Sequence, residues 1–268
     1  MKKLLLLCAL LTGCAAVALC DEPSKTDAKV HGVWQWAVTN RADGKTVNMP
    51  VWKIYCPDGS FVTVSTVSGI SEQPSRATCA GTYDVRPDGV IVEKIEKSSN
   101  GFRPGDKNVL AYSVDGNVMI VEFTNKSDRK VRETWRRVCD DVDAAKAAKG
   151  AKRAVKYGLA GLWQKRLTTS SGRRVYLPVY KIIRTDGTFD VIENTPEKAE
   201  PTVQGYYRID SKTDYTEFVT RTATDPDLLG RGNRISCTYL DDSSMLARYR
   251  MPGRSADAVE EWVRVVCR

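Results

Sequence analysis

The stretch that decides the fold occurs twice in this chain. Residues 32–61 read GVWQWAVTNRADGKTVNMPVWKIYCPDGSF, and residues 161–189 read GLWQKRLTTSSGRRVYLPVYKIIRTDGTF. Both contain Gly-x-Trp-Gln, then Pro-Val-aromatic-Lys-Ile, and finally Asp-Gly followed by a hydroxyl residue and Phe. A repeat separated by about half the chain length predicts two tandem domains, since two copies are too few for a solenoid.

The correspondence continues to the end of each copy. Gly81-Thr82-Tyr83 corresponds to Gly205-Tyr206-Tyr207, and ETWRRVC at 133–139 corresponds to EEWVRVVC at 260–267. We therefore expect one domain over residues 30–139 and a second over residues 160–268, each of about 110 residues, a usual size for one domain.

Within each copy, short β-rich segments alternate with turn residues. VWKIYC and FVTVST flank the turn at Asp58-Gly59, and VYKIIR and FDVIEN flank the turn at Asp186-Gly187. With the Gly-x-Trp segment and five later segments, each copy has eight strands joined by hairpin turns and no helical crossover. This pattern predicts an all-β protein made of two tandem eight-stranded antiparallel up-and-down barrels, because closure removes the exposed sheet edges.

The segment between the copies has a different composition. Residues 140–159 are rich in alanine, begin with acidic residues and continue with basic ones, a pattern typical of a short helix. We expect a helical linker that ends at Gly158. We interpret its lysines as a solvent-exposed face of the helix and not as a basic stripe that binds a membrane surface.

A closed barrel needs a plug at one end. A glycine lets the chain bend into the first strand, and a tryptophan two residues later can cover the floor. An arginine on the last strand, which pairs with the first, can lie over that indole. The residues predicted for the two floors are Gly32, Trp34 and Arg137 in the first copy and Gly161, Trp163 and Arg264 in the second.

These motifs resemble a known family. Gly-x-Trp opening an eight-stranded meander, with arginine on the last strand, resembles the calycin signature of lipocalins and fatty-acid-binding proteins. Gly-x-Trp-Gln, Asp-Gly-Thr-Phe and a closing Glu-x-Trp-x-Arg-Val resemble more closely a lipocalin-like domain family of unknown function in exported proteins of Gram-negative bacteria. The resemblance covers both copies and implies two ligand-binding barrels. Each copy is shorter than a standard lipocalin and lacks a counterpart of its flanking C-terminal helix.

Aromatic residues supply candidate ligand contacts. The strands carry several tryptophans and tyrosines that can line a pocket for a hydrophobic or amphiphilic small molecule. In a barrel this small they can equally fill the interior, and both interpretations remain open. The candidate ligand-binding residues are Trp36, Trp52, Tyr83, Tyr180, Tyr207 and Tyr239.

The N-terminus predicts export. Residues 1–20 combine two lysines with an apolar run and read as a signal peptide, followed by a tether over residues 21–29. Leu11-Thr12-Gly13-Cys14 matches a lipobox with Cys14 as the lipidated residue, whereas cleavage near Ala18 or Cys20 is the alternative. The expected location is the periplasm, the outer membrane surface or the extracellular medium, with a lipid anchor as the sole membrane attachment.

The composition argues against several functions. The net charge of +8 is spread along the chain rather than clustered, so we do not expect a nucleic-acid surface. His31 is the only histidine, which excludes a His-rich zinc site or a Ser-His-Asp triad in each copy. We therefore expect no enzyme activity, no metal and no cofactor.

The cysteines leave two alternatives. In the predicted topology Cys56 ends the second strand and Cys139 ends the eighth, so both lie at the floor on either side of the first strand. A Cys56–Cys139 disulfide is conceivable if the floor narrows, but strands that flank a third strand lie about 9–10 Å apart, beyond disulfide reach. Free buried thiols are the default.

Two functions remain at the level of sequence. The protein binds a small apolar or amphiphilic ligand in one or both barrels, or it is a cell-envelope scaffold with solid barrels whose partner is another protein. A cavity favours the first, whereas dense cores and an exposed apolar loop patch favour the second.

Overall fold

The structure, a computed structural model, describes residues 26–125, 127–139 and 151–267, with the side chains of residues 151–153 left out. The predicted signal peptide, its Cys14 lipidation site, most of the tether and linker residues 140–150 lie outside this range. No helix in the described part of the chain is long and apolar enough to cross a membrane.

The first repeat forms a closed antiparallel barrel in which sequential strands are neighbours and the last pairs with the first. Trp34 on the first strand lies opposite Arg137 on the eighth, which closes the ring. The strands are β1 (Gly32–Thr39), β2 (Thr46–Tyr55), β3 (Ser60–Ser65), β4 (Arg76–Arg86), β5 (Val90–Ser98), β6 (Lys107–Asp115), β7 (Val118–Thr124) and β8 (Lys130–Cys139).

The second repeat forms a barrel of the same topology, closed by the pairing of Trp163 with Arg264. A short 3-10 turn at Pro226–Leu228 lies in one of its loops. The strands are β9 (Gly161–Thr168), β10 (Arg174–Ile183), β11 (Thr188–Asn194), β12 (Ala199–Ile209), β13 (Asp214–Thr222), β14 (Gly232–Asp241), β15 (Ser244–Tyr249) and β16 (Ala258–Arg264). The predicted fold class, two tandem eight-stranded antiparallel barrels, is confirmed.

The Asp-Gly segments form the hairpin turns that their sequence predicts. Asp58 accepts hydrogen bonds from the backbone N–H of Ser60 at 3.0 Å and from its hydroxyl at 2.6 Å, and Gly59 has φ = 81°. Asp186 makes the same two contacts with Thr188. Each aspartate therefore fastens a hairpin turn that needs a residue with positive φ, which glycine adopts without strain.

A short helix, α1 (Ala151–Lys156), precedes the second barrel. Gly158 has φ = 69°, and the backbone N–H of Leu159 donates to the carbonyl of Ala154 at 2.8 Å. The helix thus ends where the sequence predicts, at a glycine in the left-handed conformation.

The two barrels pack against each other through a third apolar core, which is separate from the core inside each barrel. β2 and β10 each alternate between two faces, so that one set of side chains enters the barrel and the other points outward. The outward sets meet between the barrels together with residues of neighbouring strands. This shared core contains Val33, Trp52, Ile54, Val64, Cys139, Leu162, Tyr180, Ile182, Ile192 and Ala199.

Candidate ligand site

The floor of each barrel is built from the glycine, tryptophan and arginine of the repeat. The guanidinium carbon of Arg137 lies 4.1 Å from the ring centroid of Trp34, and that of Arg264 lies 4.2 Å from the centroid of Trp163. Arg137 also donates to the carbonyls of Lys29 and His31. Each arginine therefore ties the last strand to the chain that enters the barrel, and it covers the indole as a cation–π partner.

Glycine is required at the entrance for two reasons. Gly32 and Gly161 have φ values of 117° and 141°, which disfavour any L side chain. A Cβ on Gly161 would also lie 2.5 Å from a guanidinium nitrogen of Arg264, and one on Gly32 would lie 2.7 Å from the carbonyl oxygen of Cys139.

Above the floor, barrel 1 contains a buried ion pair. Lys53 Nζ donates to Glu93 Oε1 at 2.9 Å, and both side chains are almost inaccessible to solvent. Tyr55 donates its hydroxyl to the same oxygen at 2.6 Å, and Asn108 donates to the other oxygen at 3.0 Å. Burial and the neighbouring Glu93 carboxylate raise the pKa of Tyr55 well above its ordinary value, so its hydroxyl stays a donor. The buried carboxylate therefore has hydrogen-bond or ion-pair partners on both oxygens.

Barrel 2 repeats this arrangement. Lys181 Nζ lies 2.8 Å from Glu217 Oε1, and it lies 5.4 Å from the Trp262 ring, as Lys53 lies 5.3 Å from the Trp135 ring. The lysine of the repeated Lys-Ile dipeptide is thus an interior residue in both barrels. The sequence does not predict this cluster, because its partners come from strands far apart along the chain.

Barrel 1 has a large cavity above the ion pair. The register of β6 with β7 runs from Ala111–Glu122 to Asp115–Val118, so residues 107–110 of β6 have no described partner on β7. The cavity, about 1080 Å³, lies at this gap and reaches the rim of the barrel. Its lining comes from both faces of the sheet: Phe102, Asn108, Phe123, Val131 and Glu133 face inward, whereas Val109, Ala111 and Glu122 face outward. The volume lies at the upper limit for small-molecule sites, and the lining is more polar than is usual for them.

The six aromatic residues predicted to contact a ligand do not lie at one site: two lie between the barrels and four lie in their own barrels. Trp52 and Tyr180 lie outside their barrels, where their rings meet edge to face with centroids 4.8 Å apart. Both are fully buried in the core between the barrels. Neither can line a cup inside its own barrel, so this part of the expectation is corrected: alternation along β2 and β10 turns Lys53 and Lys181 inward and these rings outward.

The other four stay with their barrels. Tyr83 donates its hydroxyl to the carbonyl of Cys56 at 2.9 Å, and Tyr207 donates to the carbonyl of Arg184 at 2.5 Å. These two tyrosines fasten the Asp-Gly hairpins from inside. Trp36 and Tyr239 are half-buried and pack against the cores of barrels 1 and 2, respectively.

The glutamine of each Gly-x-Trp-Gln motif crosses to the other barrel. Gln35 Oε1 accepts the backbone N–H of Ala199 at 3.0 Å, and Gln164 Oε1 accepts the backbone N–H of Ser75 at 2.8 Å. Because Gln35 corresponds to Gln164 in the repeat, the two contacts are equivalent and reciprocal. In the sequence this motif predicts a barrel entrance, and the repeated glutamine is the signal that could have indicated a contact between the barrels.

A second cavity, about 500 Å³, lies between the barrels near their floors and is mostly apolar. Its two arginines already have protein partners. Arg184 pairs with Asp190, both fully buried, and Arg264 donates to the carbonyls of Gly158 and Ala160. This cavity offers a ligand less polar recognition than the cup of barrel 1.

The five described cysteines form no disulfide, so the Cys56–Cys139 bridge is not formed. The thiol of Cys139 points toward Asp190 of the second barrel, 3.4 Å away, rather than along the floor of its own barrel. Burial raises the pKa of Cys56 to about 12 although Arg184 lies near it, which keeps this thiol protonated. Among the residues that the structure covers, no three His, Cys, Asp or Glu side chains group as metal ligands.

This geometry defines the class of protein: a tandem pair of closed eight-stranded antiparallel barrels. Residues 29–144 and 158–268 each match a domain of unknown function, DUF4488. The chain therefore belongs to this family and contains its domain twice, which confirms the resemblance to a tandem pair of domains of unknown function.

Two solved structures are similar to the chain at low identity. A protein of unknown function from the DUF3598 family of Nostoc punctiforme is 9% identical; the match covers 88% of this chain and 97% of that one, with a TM-score of 0.23. A double mutant of the vaccine antigen Transferrin Binding Protein B from Haemophilus parasuis is 7% identical, with coverage of 87% and 58% and a TM-score of 0.23. Comparison with curated proteins gives no match.

Proposed function

We propose that this protein is an exported, non-enzymatic binding protein that holds a small hydrophobic or amphiphilic ligand in the cup of barrel 1. The observation that carries the proposal is the cavity of about 1080 Å³ with Phe102 and Phe123 in its wall and Asn108 and Glu133 as polar groups. Phe102, Phe123 and Val131 offer a ligand apolar contacts, and the polar residues that make up the rest of the lining can orient its polar group without reacting with it.

The paired charges inside the two barrels support binding rather than catalysis. Lys53 with Glu93 and Lys181 with Glu217 are engaged in short ion pairs, and further hydrogen bonds satisfy Glu93. A carboxylate held this way is a poor general base, because its oxygens already accept hydrogen bonds from neighbouring donors, which lowers its tendency to take up a proton. The partners proposed are thus a small ligand and no nucleic acid, metal or cofactor.

The leader sequence supports export. An apolar run after two lysines, followed by a polar segment, directs the chain out of the cytoplasm to the periplasm, the outer membrane surface or the medium. Lipidation at Cys14 is the proposed route of any membrane attachment.

Native mass spectrometry of the full chain purified from its own host tests the ligand proposal. We expect a population heavier than the processed chain, whose excess mass disappears on denaturation. A matched variant, Phe123→Trp, reduces the room at the mouth of barrel 1 and should lower the bound fraction. A single bare mass for the wild type, together with dense packing at Phe102 and Phe123 in an experimental structure, would favour the alternative of an envelope scaffold with solid barrels.

A further inference from the structure

The interiors of the two barrels differ at one position of the first strand. Trp36 of β1 lies opposite Trp135, and Lys165 of β9 lies opposite Trp262, so Trp36 and Lys165 are equivalent in the repeat. Both face inward and both are half-buried. Barrel 2 therefore carries an interior cation where barrel 1 carries an indole.

In barrel 2 this cation neutralises a glutamate. Lys165 Nζ lies 2.5 Å from Glu260 Oε1. Burial raises the pKa of Glu260. The positive charges of Lys165 and Lys181 and a hydrogen bond from Tyr249 lower it by more, so this pKa lies below its ordinary value. The carboxylate of barrel 2 thus has its charge compensated within the protein.

The equivalent glutamate of barrel 1 has neither partner. Glu133 corresponds to Glu260, and Phe123 stands where barrel 2 has Tyr249. The Trp135 indole donates to Glu133 Oε2 at 3.1 Å, as Trp262 donates to Glu260 at 3.2 Å. No described lysine or arginine lies within ion-pair distance of Glu133, and this carboxylate lines the cavity.

The balance of interior charge therefore differs between the barrels. Above the floor arginines, the buried and half-buried charges that face inward in the described strands are Lys53, Glu93 and Glu133 in barrel 1. In barrel 2 they are Lys165, Lys181, Glu217 and Glu260. The first set carries one uncompensated negative charge and the second carries none. The rim of the cavity carries three further charged side chains, Asp106, Lys107 and Glu122, and Glu122 is paired with Arg132.

We infer that the cup of barrel 1 selects amphiphiles whose polar group is an organic cation, a primary or quaternary ammonium, and that barrel 2 does not. The ammonium lies against the Glu133 carboxylate and supplies the positive charge that this group lacks within the protein, and it lies against the Phe123 ring, whose π face attracts cations. The apolar tail occupies the remaining cavity toward Phe102 and Val131. The inference rests on the proposed function and specifies the chemistry of its ligand.

The test uses three probes with the same tail: octyltrimethylammonium, octyl glucoside and octyl sulfate, each below its micellar concentration. Binding to the full chain is measured by titration calorimetry and tryptophan fluorescence. We expect octyltrimethylammonium to bind about tenfold more tightly than the other two, because only its cation gains Coulomb attraction to a carboxylate and a cation–π contact. Glu133→Gln keeps an acceptor for the Trp135 indole and should remove this preference, whereas the matched variant Glu260→Gln should leave it unchanged.

A milder variant covers the case in which Glu133→Gln folds poorly. Phe123→Tyr places a hydroxyl beside Glu133, as Tyr249 does beside Glu260, and should weaken octyltrimethylammonium binding about threefold by competing for the carboxylate. Equal or tighter binding of the glucoside or the sulfate would overturn the cation preference and leave the proposed cup intact. A preference lost in Glu260→Gln and retained in Glu133→Gln would overturn the assignment to barrel 1. Saturable binding of none of the probes would contradict both proposals.

Discussion

Arg264 shows how one side chain can hold a barrel closed. Its guanidinium lies over Trp163, and it donates to the carbonyls of Gly158 and Ala160 at the entrance of β9. Burial lowers the pKa of Arg264 from its ordinary value. The same arrangement at Arg137 and Trp34 indicates that the contact belongs to the domain and not to one copy of it.

Replacement of Arg264 tests this role. Arg264→Ala should lower the free energy of unfolding of the second barrel by about 1–3 kcal/mol, because it removes a cation–π contact and leaves two carbonyls without donors. The control is Arg248→Ala, since Arg248 is exposed on β15. Thermal and urea unfolding of both variants gives the comparison, and equal midpoints would contradict the floor assignment.

The Lys165–Glu260 pair predicts a pH dependence. Because the folded pKa of Glu260 is depressed below its ordinary 4.5, the ionised group stabilises the fold above about pH 4.5. This contribution is lost as the pH falls through the folded pKa. We therefore expect Glu260→Gln to melt below the wild type at pH 7, and the gap to narrow toward pH 3. A gap that is constant across this range would show that the charge of Glu260 does not stabilise the barrel.

At the scale of elements, β2 and β10 each serve two cores. Lys53 and Lys181 enter the barrels, while Trp52 and Tyr180 pack between them. Tyr180 is also the polar centre of the shared interface: its oxygen accepts the backbone N–H of Val67 at 2.8 Å and lies 2.7 Å from the Ser75 hydroxyl. Burial raises the pKa of Tyr180 to about 12, so the hydroxyl remains protonated.

Removal of this one oxygen isolates the polar part of the interface. Tyr180→Phe should cost about 1–3 kcal/mol, because the backbone N–H of Val67 loses its acceptor in a buried place. Tyr206→Phe is the matched control, since Tyr206 stacks on Phe218 and makes no described hydrogen bond through its hydroxyl. Urea unfolding followed by tryptophan fluorescence measures both. A smaller loss for Tyr180→Phe than for Tyr206→Phe would contradict the assigned contact.

At the scale of the whole molecule, the two barrels form one body joined by reciprocal contacts. Gln35 and Gln164 each reach a backbone N–H of the other barrel, and Asn194 donates to Thr66 and to the carbonyl of Val67. Ser71 and Tyr176 exchange two backbone hydrogen bonds across the interface. Each barrel alone would therefore expose apolar surface and unpaired polar groups that the pair conceals.

Separation of the barrels tests both their independence and their interface. Fragments 26–140 and 158–268 should each show a β-type circular dichroism spectrum and a cooperative melt, since each has its own closed sheet and core. We expect both to melt below the intact chain, and an equimolar mixture to co-elute on gel filtration and regain part of the lost stability. Unfolded fragments would contradict the two-domain interpretation, and folded fragments that do not associate would contradict the importance of the interface.

The sequence alone determined the features that depend on local chemistry and period. The repeat, the eight strands, the Asp-Gly hairpins and the entrance glycines are each written in adjacent residues, so they could be predicted without coordinates. The Arg–Trp floors followed from the pairing of first and last strands in a closed barrel. The tertiary structure alone decided what covers the outer face of β2 and β10. The alternation of side chains along a strand shows that there are two faces, but it does not show which part of the protein packs on each. The tertiary structure also decided which distant side chains meet, such as Lys53 with Glu93. That contact depends on strand register around the barrel, a property of the closed sheet and not of any short stretch of sequence.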